Sequence, residues 1–411
     1  MIILVLNCGS SSLKFQAIEA SLETIRGNSE KVLAKGVIER IGSQSLLTLS
    51  AADQKAQRSA RAFQNHRQAI DFVIKWLISP KAGIEALSSL SDIQAVGHRV
   101  VHGGEHFKQS VLINDSVLEG IEDCIDLAPL HNPANLGGIE AITEILGSIS
   151  QVAVFDTAFH SNMPEESYLY PIPYQFYRRH KVRRYGFHGT SHRYISYRYR
   201  QLTGLEKKDA HIITLHLGNG CSACLIQGGR SVDTSMGMTP LEGLTMGTRA
   251  GDLDPAILEY LHLKEGMSYD NLFNMLNKQS GLLGISGLTN DMRELLEEEE
   301  ENSDRRAKLA IQIFCERIKK YIGAYLATAS KVDAIIFSGG IGENSAVVRS
   351  RICKGLEILG IKIDSSANNS KVRGSEGDIS AQDALIKTFV IPTNEELLIA
   401  RDSVRCIEGI L

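Results

Sequence analysis

Two short polar turns, each set between apolar runs, have the composition of a phosphate cradle. The first is Asn7-Cys8-Gly9-Ser10-Ser11-Ser12, between apolar stretches 2–6 and 13–18. The second is Gly218-Asn219-Gly220, between 212–217 and 222–226. A strand, a Gly/Ser turn and a returning strand aim several backbone N–H groups into one concavity, a good seat for an anion and for phosphate above all. Lys14, on the first return, could add a compact positive charge. Two ordinary hairpins are the plainer alternative, since Asn-Gly between apolar runs is a hairpin signal by itself. No G-x-x-x-x-G-K-[ST] occurs, which sets aside a Walker-type nucleotide site. A third cluster, Ser338-Gly339-Gly340-Ile341-Gly342-Glu343-Asn344, follows an apolar run from Ala334. There bare backbone would let a nucleotide's base or ribose come close. Its spacing is not G-x-G-x-x-G, and a tight strand-to-helix turn is the alternative reading.

Cations and imidazoles sit among glycines in three segments: Gly97 to Glu105, with His98, Arg99 and His102; Arg184 to His192, with His188; and Met246 to Pro255, with Arg249. Any one such histidine is more often structural than catalytic, but three segments together point to an anionic substrate. Nucleotide phosphates usually arrive with Mg²⁺, which keeps most of its waters and needs one or two carboxylates. Asp156 follows the apolar run ending at Phe155, and Glu395 follows a strand expected over 388–391. Cys221 and Cys224 lie three apart on an expected strand, so their sulfurs point to opposite faces and read as core packing.

The elements that must position these groups alternate between strand and helix, which makes the class α/β. Helical spacing of Ile70, Val73, Ile74 and Leu77 predicts a helix over 66–77. Asp254 reads as an N-cap with Pro255 at the first helical position, opening a helix over 256–263. A long helix is expected over 305–330, with Leu309, Ile313, Ile318, Ile322 and Leu326 facing the core, and the acidic run 297–301 reads as a solvated face or loop. The strand–turn–strand pattern occurs twice, so the chain reads as two related halves divided near 155–160.

Length suits two domains, and a net charge of −4 gives no electrostatic case for nucleic acid or an anionic membrane. The N-terminal apolar run is too short for a signal peptide, and an odd count of seven cysteines suits a reducing cytoplasm.

Taken in order along nearly the whole chain, these segments closely resemble the acetate kinase family. Further matches are Ala128-Pro129-Leu130-His131-Asn132-Pro133, Phe155 to His160, Met236 to Pro255 and Pro392 to Leu397. Cys8 and Cys221 stand where small residues are common. The resemblance implies two actin-like (ribonuclease H-like) α/β domains with a duplicated core flanking a nucleotide cleft: residues 1–157 with a returning helix 396–411, and residues 158–395 carrying the nucleotide site and a homodimer interface. It implies phosphoryl transfer from ATP to acetate, giving acetyl phosphate and ADP, with Mg²⁺ or else Mn²⁺ as cofactor. Asp156, Arg99, Arg249 and His188 match the family's catalytic residues, and Asn7 and Glu395 those at its metal. Its nucleotide site maps to Ser12, Lys14, His216, Gly218, Asn219, Gly220, Asp291, Met292, Arg293, Gly339, Gly340, Ile341, Gly342 and Asn344. The substrate pocket maps to Arg99, Val101, Leu130, Phe187 and Pro240.

Acetate is already an anion at pH 7, so no general base is required. The obstacle is repulsion between carboxylate and γ-phosphate, which arginines are suited to relieve. Direct in-line transfer is expected, with phosphorylation of Glu395 the alternative route. A propionate or butyrate kinase of the same family is the nearest rival. A non-catalytic actin-like switch is another, though a switch has no need of two arginines at a small-acid pocket.

Overall fold

The opening run Ile2-Ile3-Leu4-Val5-Leu6 is apolar at every position, so as a strand it must be covered on both faces. The computed structural model, which describes residues 1–52, 54–129 and 131–411, shows how. The run forms β1 (Ile2–Cys8) near the middle of a sheet with β2 (Ser12–Glu19), β3 (Lys31–Glu39), β4 (Gln44–Ala51), β5 (Gln57–Ala62), β6 (Ala95–Val100), β7 (Val111–Leu112) and β8 (Ser150–Phe155). The order across it is β5-β4-β3-β2-β1-β6-β8-β7. Alternate side chains of β1 feed two cores. Leu4 and Leu6 join Ile70, Val73 and Ile74 of helix His66–Leu77 and Ala141 and Ile142 of helix Asn132–Leu146. Ile3 and Val5 join Val152, Val154 and the C-terminal helix Glu395–Ile407, through Ile399, Ala400 and Val404.

That last helix lies close against the sheet because Gly97 in β6 has no side chain. A Cβ there would stand 2.5 Å from Ser403 Oγ and 2.7 Å from Ile399 Cγ2. The contacts place Met1–Ser161 and Asn394–Leu411 in one compact unit and Asn162–Thr393 in another.

The second unit repeats the topology of the first. Its sheet contains β9 (His211–Leu217), β10 (Cys221–Gln227), β11 (Arg230–Thr234), β12 (Ala334–Ser338), β13 (Gly377–Asp378) and β14 (Lys387–Val390). The order is β11-β10-β9-β12-β14-β13. As β1 is antiparallel to β2 and parallel to β6, so β9 is antiparallel to β10 and parallel to β12. β6 runs parallel to β8, and β12 to β14. The duplication expected from two polar turns thus extends over five strands of each sheet, the actin-like arrangement.

Helix His66–Leu77 has the expected bounds. The helix near 254 opens one residue later than expected: Pro255 is its cap, and Asp254 instead accepts the Ala256 N–H through its side chain at 2.9 Å. In helix Arg305–Thr328 the buried stripe is Ala307, Ala310, Ile311, Phe314, Ile318, Ile322 and Tyr325, whereas Leu309 is exposed. Small alanines let this helix approach its neighbours and rotate the expected stripe toward them. The acidic run closes helix Met292–Glu301, where Glu299 pairs with Arg351 at 2.7 Å. Among the described residues no helix is long and apolar enough to cross a membrane.

Buried His98, whose Nε2 lies 2.8 Å from Gln151 Oε1, makes part of this fold acid-sensitive. Burial pushes its pKa down from 6.5 to about 4, against a smaller opposing effect of the Gln151 hydrogen bond. Above pH 6.5 both folded and unfolded chains carry it neutral; as the pH falls toward 4, the unfolded chain takes a proton that the folded chain refuses. Stability is therefore lost over that interval, by about 2 kcal/mol at pH 5. Urea titrations at pH 7 and pH 5 should show His98→Gln losing about 2 kcal/mol less than the parent. Equal losses in both proteins would remove His98 from the acid limb.

Candidate active site

At the carboxyl ends of β1, β6 and β8, three polar side chains meet. Arg99 donates from Nη2 to Asp156 Oδ2 and from Nη1 to Asn7 Oδ1 at 3.2 Å. Three adjacent parallel strands deliver them to one edge, which is where open α/β sheets place their ligands. Asp156 is fully buried and is held by its own N–H donating to Val100 O at 3.0 Å. Glu395, first residue of the C-terminal helix, brings Oε2 to 3.9 Å from Arg99 Nε. Asn394 caps that helix, accepting the Leu397 N–H at 3.1 Å, so the position of Glu395 follows from the helix seated over Gly97.

Burial lowers the pKa of Arg99, but Asp156 and Glu395 outweigh it and leave the guanidinium above its ordinary value and fully charged. Glu395 moves the other way. Burial raises its pKa to about 7; Arg99 and Lys14 oppose the rise, while Asp156 and Glu396 add to it. Lys14 is engaged by Glu396 at 2.5 Å. The cluster therefore carries more carboxylate than its cations neutralise. Arg99 Nε is buried and has no hydrogen-bond partner among the described residues.

A supporting layer holds these strand ends. Asn135 accepts the Val101 N–H at 3.0 Å and donates to Cys8 O at 2.8 Å, tying the end of β6 to the end of β1. Asn132 accepts the His102 N–H at 3.1 Å. Val101 itself is buried. Leu130 lies outside the described residues.

In the second unit the corresponding edge holds imidazoles and hydroxyls. His188 has φ of 56°, a left-handed conformation at the start of helix Gly189–Thr203. Its Nδ1 lies 2.9 Å from Ser222 Oγ, which also meets His192 Nε2 at 2.7 Å. The rings of His188 and His216 are 4.3 Å apart, and His216 Nδ1 is 2.7 Å from Ser191 Oγ. Arg249 Nη1 donates to Pro240 O at 3.2 Å. A Cβ on Gly220 would stand 3.5 Å from His188 Nε2 and 3.6 Å from Arg249 Nη1, so both side chains converge on the bare turn after β9.

The polar turns are less open than expected. Gly9 N–H donates back to Ser12 O at 2.8 Å, and Gly218 N–H to Gly220 O at 3.1 Å, so one donor of each is spent within its own turn. The third glycine cluster does end a strand and open a helix, Gly339–Asn344. Glu343 Oε1 accepts from the N–H of Gly339 at 2.9 Å and of Thr393 at 3.0 Å, fixing the cluster's first glycine.

A family model described as the acetokinase family matches residues 2–401. The chain belongs to that family. It is 59% identical over 413 residues to an acetate kinase of Chloroherpeton thalassium, covering 99% of each chain. The crystal structure of a Porphyromonas gingivalis acetate kinase matches with a TM-score of 0.91 at 44% identity, covering 99% of both chains. A propionate kinase of Francisella tularensis matches with a TM-score of 0.89 at 43% identity, covering 98% of both.

Within this acetokinase chain, several residues expected at the nucleotide site are engaged with one another. Asp291 caps helix Met292–Glu301, accepting the Arg293 N–H at 2.8 Å, and pairs with the Arg293 guanidinium at 2.5 Å. Met292 is buried in the core. Asn344 donates to Gly340 O at 3.0 Å, while Gly340 leaves open space where a side chain would be and Ile341 and Gly342 complete the turn of helix. Ser12 begins β2. Ser222 and Asn135 escaped the sequence reading, and Glu343 entered it only as a member of the third glycine cluster, with no role. Of these, only Ser222 had a usable signal, as the first polar residue after the Gly-Asn-Gly turn on a strand that is otherwise mostly apolar.

Asn219 is held by neighbours that constrain it sharply. Its Oδ1 accepts from Asn290 Nδ2 at 2.7 Å, and its carbonyl accepts the Gly247 N–H at 2.9 Å. A Cβ on Gly247 would come within 1.8 Å of that Oδ1. Gly247→Ala should therefore displace the Asn219 side chain and raise the KM for ATP about tenfold, the equivalent of one hydrogen bond. Asn219→Ala should do the same, and the double variant no more than either alone. An unchanged KM for ATP in both single variants would take Asn219 out of nucleotide binding.

Proposed function

We propose that this chain transfers the γ-phosphoryl group of ATP to acetate, reversibly, forming acetyl phosphate and ADP. Family membership over the whole chain supports this reading, and one local observation carries it. An always-charged guanidinium, Arg99, keeps an unsatisfied buried Nε–H beside three hard oxygen donors, Asn7, Asp156 and Glu395. That combination suits a small carboxylate brought up to a phosphate.

An acetate carboxylate is ionised well above its pKa, so the nucleophile needs no proton removed. What it needs is relief from like-charge repulsion. Arg99 is assigned to orient the acid, with its planar donors matched to a carboxylate. Arg249 and His188 are assigned to the charge that spreads over the phosphoryl oxygens in flight, where preorganised donors in a dry site are most effective. Ser222 and Met246-linked Arg249 hold their ring and guanidinium in place. No covalent enzyme intermediate is needed, because the acceptor oxygen is itself the attacking group.

Asn7, Asp156 and Glu395 fit Mg²⁺, directly or through its waters: all present oxygen, and a divalent cation would offset the burial that, with a smaller addition from Asp156 and Glu396, raises Glu395 to about 7. When bound, such an ion neutralises phosphate charge and orients the nucleotide's oxygens. The helix pair Ala256–Glu265 and Tyr269–Lys278 exposes Ile257, Tyr260, Leu263, Tyr269 and Phe273, which supports a homodimer made through the second unit. Dependence on ATP, and cysteines that are all free and buried, support a cytoplasmic setting.

Two measurements test this reading. The purified protein with ATP, Mg²⁺ and acetate should yield acyl phosphate, trapped by hydroxylamine, and Glu395→Ala should raise the Mg²⁺ concentration needed for half-maximal rate. An unchanged Mg²⁺ titration would place the metal elsewhere.

The acid series decides the substrate. Val101, Phe187 and Pro240 are assigned to the acid's methyl group, and an extra methylene against a packed wall changes discrimination about 10- to 200-fold. kcat/KM should fall from acetate to propionate to butyrate, and Val101→Ala should narrow the acetate-to-propionate ratio, chiefly through the KM of the acid. A preference for propionate would assign the chain to the sister activity.

A further inference from the structure

Around the loop that carries Pro240 lies a part-buried polar network that the reaction itself does not use. Arg184 Nη1 donates to three successive carbonyls, Thr234 O at 2.9 Å, Ser235 O at 3.0 Å and Met236 O at 3.3 Å. Its Nη2 donates to Glu242 Oε1 at 2.6 Å. The other carboxylate oxygen of Glu242 accepts from the Tyr170 hydroxyl, and that hydroxyl accepts the Met238 N–H at 2.9 Å. Residues 234 to 242 are thus gripped at both ends by one arginine and in the middle by one tyrosine.

The grip extends to the segment that leads into His188 at the start of helix Gly189–Thr203. Gly237 O accepts the N–H groups of Tyr185 at 3.1 Å and Gly186 at 3.2 Å, the residues leading directly into Phe187 and His188. Gly237 must lack a side chain, because a Cβ would lie 1.8 Å from Glu242 Oε2 and 2.2 Å from the Tyr170 oxygen. Arg249, through its bond to Pro240 O, leans on the same loop. One network therefore fixes the spacing of Phe187, Pro240 and Arg249.

We propose that Arg184, Glu242 and Tyr170 are positioning residues that set the width of the second unit's wall against the acid, and through it the preference among short-chain acids. This rests on the assignment of Phe187 and Pro240 to the acid's methyl group. Charge-assisted bonds hold the loop more stiffly than apolar contacts would, and stiffness is what a wall needs to exclude one methylene. If the clasp is loosened, the loop yields to a larger acid at little loss to ATP binding.

The test uses the full-length enzyme with Tyr170→Phe, which removes only the hydroxyl, and Glu242→Gln, which keeps shape and removes charge. Each should narrow the acetate-to-propionate ratio of kcat/KM by about threefold or more, mainly through the acid's KM, with the KM for ATP within about twofold of the parent. The ratio is independent of how much enzyme is correctly folded. A merely structural role would lower the melting temperature and the total rate while leaving the ratio unchanged, and that result in both variants overturns the proposal. Phe187→Ala serves as the control. If it shifts the ratio and the two clasp variants do not, the clasp fails while the wall assignment stands. If none of the three shifts it, the wall assignment fails and the clasp with it.

Discussion

Arg99, Asp156 and Glu395 are ionisable groups taken largely out of water, and such groups are tolerated there only when paired and hydrogen-bonded. Much of the first unit follows from meeting that demand. Three parallel strands must end side by side to deliver Asn7, Arg99 and Asp156 to one edge, and strands buried on both faces must be apolar nearly throughout. The fourth partner, Glu395, comes from the far end of the sequence, so the final helix has to lie on the same sheet. Gly97 permits that by leaving its side-chain volume to Ile399 and Ser403. A glycine two residues before the arginine thus positions the carboxylate that faces it.

The duplicated core was turned to two kinds of chemistry. In the first unit the strand ends carry formal charges with carboxylates in excess, the electrostatics of a cation site. In the second, the equivalent edge carries His188, His192 and His216 linked through Ser191, Ser222 and Thr214 hydroxyls, with Arg249 as the formal charge close by. Donors on short tethers, already held in place, are suited to an anion whose charge shifts during reaction, since they need little reorganisation. His188 accepts a left-handed backbone to reach its place, a conformation that costs of order 1 kcal/mol or more in a residue with a side chain and that clusters at functional sites.

What could be read from the sequence was whatever leaves a local period or a local exception. The unbroken apolar run of β1, the repeated strand–turn–strand units, the spacing of Ile70, Val73, Ile74 and Leu77, and a carboxylate directly after an apolar strand are all of this kind. Residues chosen by contacts far along the chain leave no such trace. Asn135 is recognisable as a brace only once Cys8 and Val101 are known to end neighbouring strands, and nothing within a few residues of Glu242 names Arg184 or Tyr170 as its partners. Leu309 shows the limit from the other side: helical spacing defines a stripe, but the facing elements decide which stripe is buried, and here they favour the alanines. Asp291 and Arg293 entered only through the family resemblance to a nucleotide site, and in the fold they pair with each other.

Choice of acid lies beyond the reach of overall similarity for a related reason. An acetate kinase and a propionate kinase match this chain almost equally, at 44% and 43% identity. Those two substrates differ by one methylene, a difference of roughly 1–3 kcal/mol in a packed pocket. A shift of a few tenths of an ångström in a wall residue spans that range, and it can be made without changing any residue that touches the acid. On the proposal made above, the side chains that decide the matter are then the ones that hold the wall still. In this chain the residues proposed for that task are polar and part-buried, which on that proposal makes the loop's position depend more on hydrogen-bond geometry than on the softer apolar packing around it.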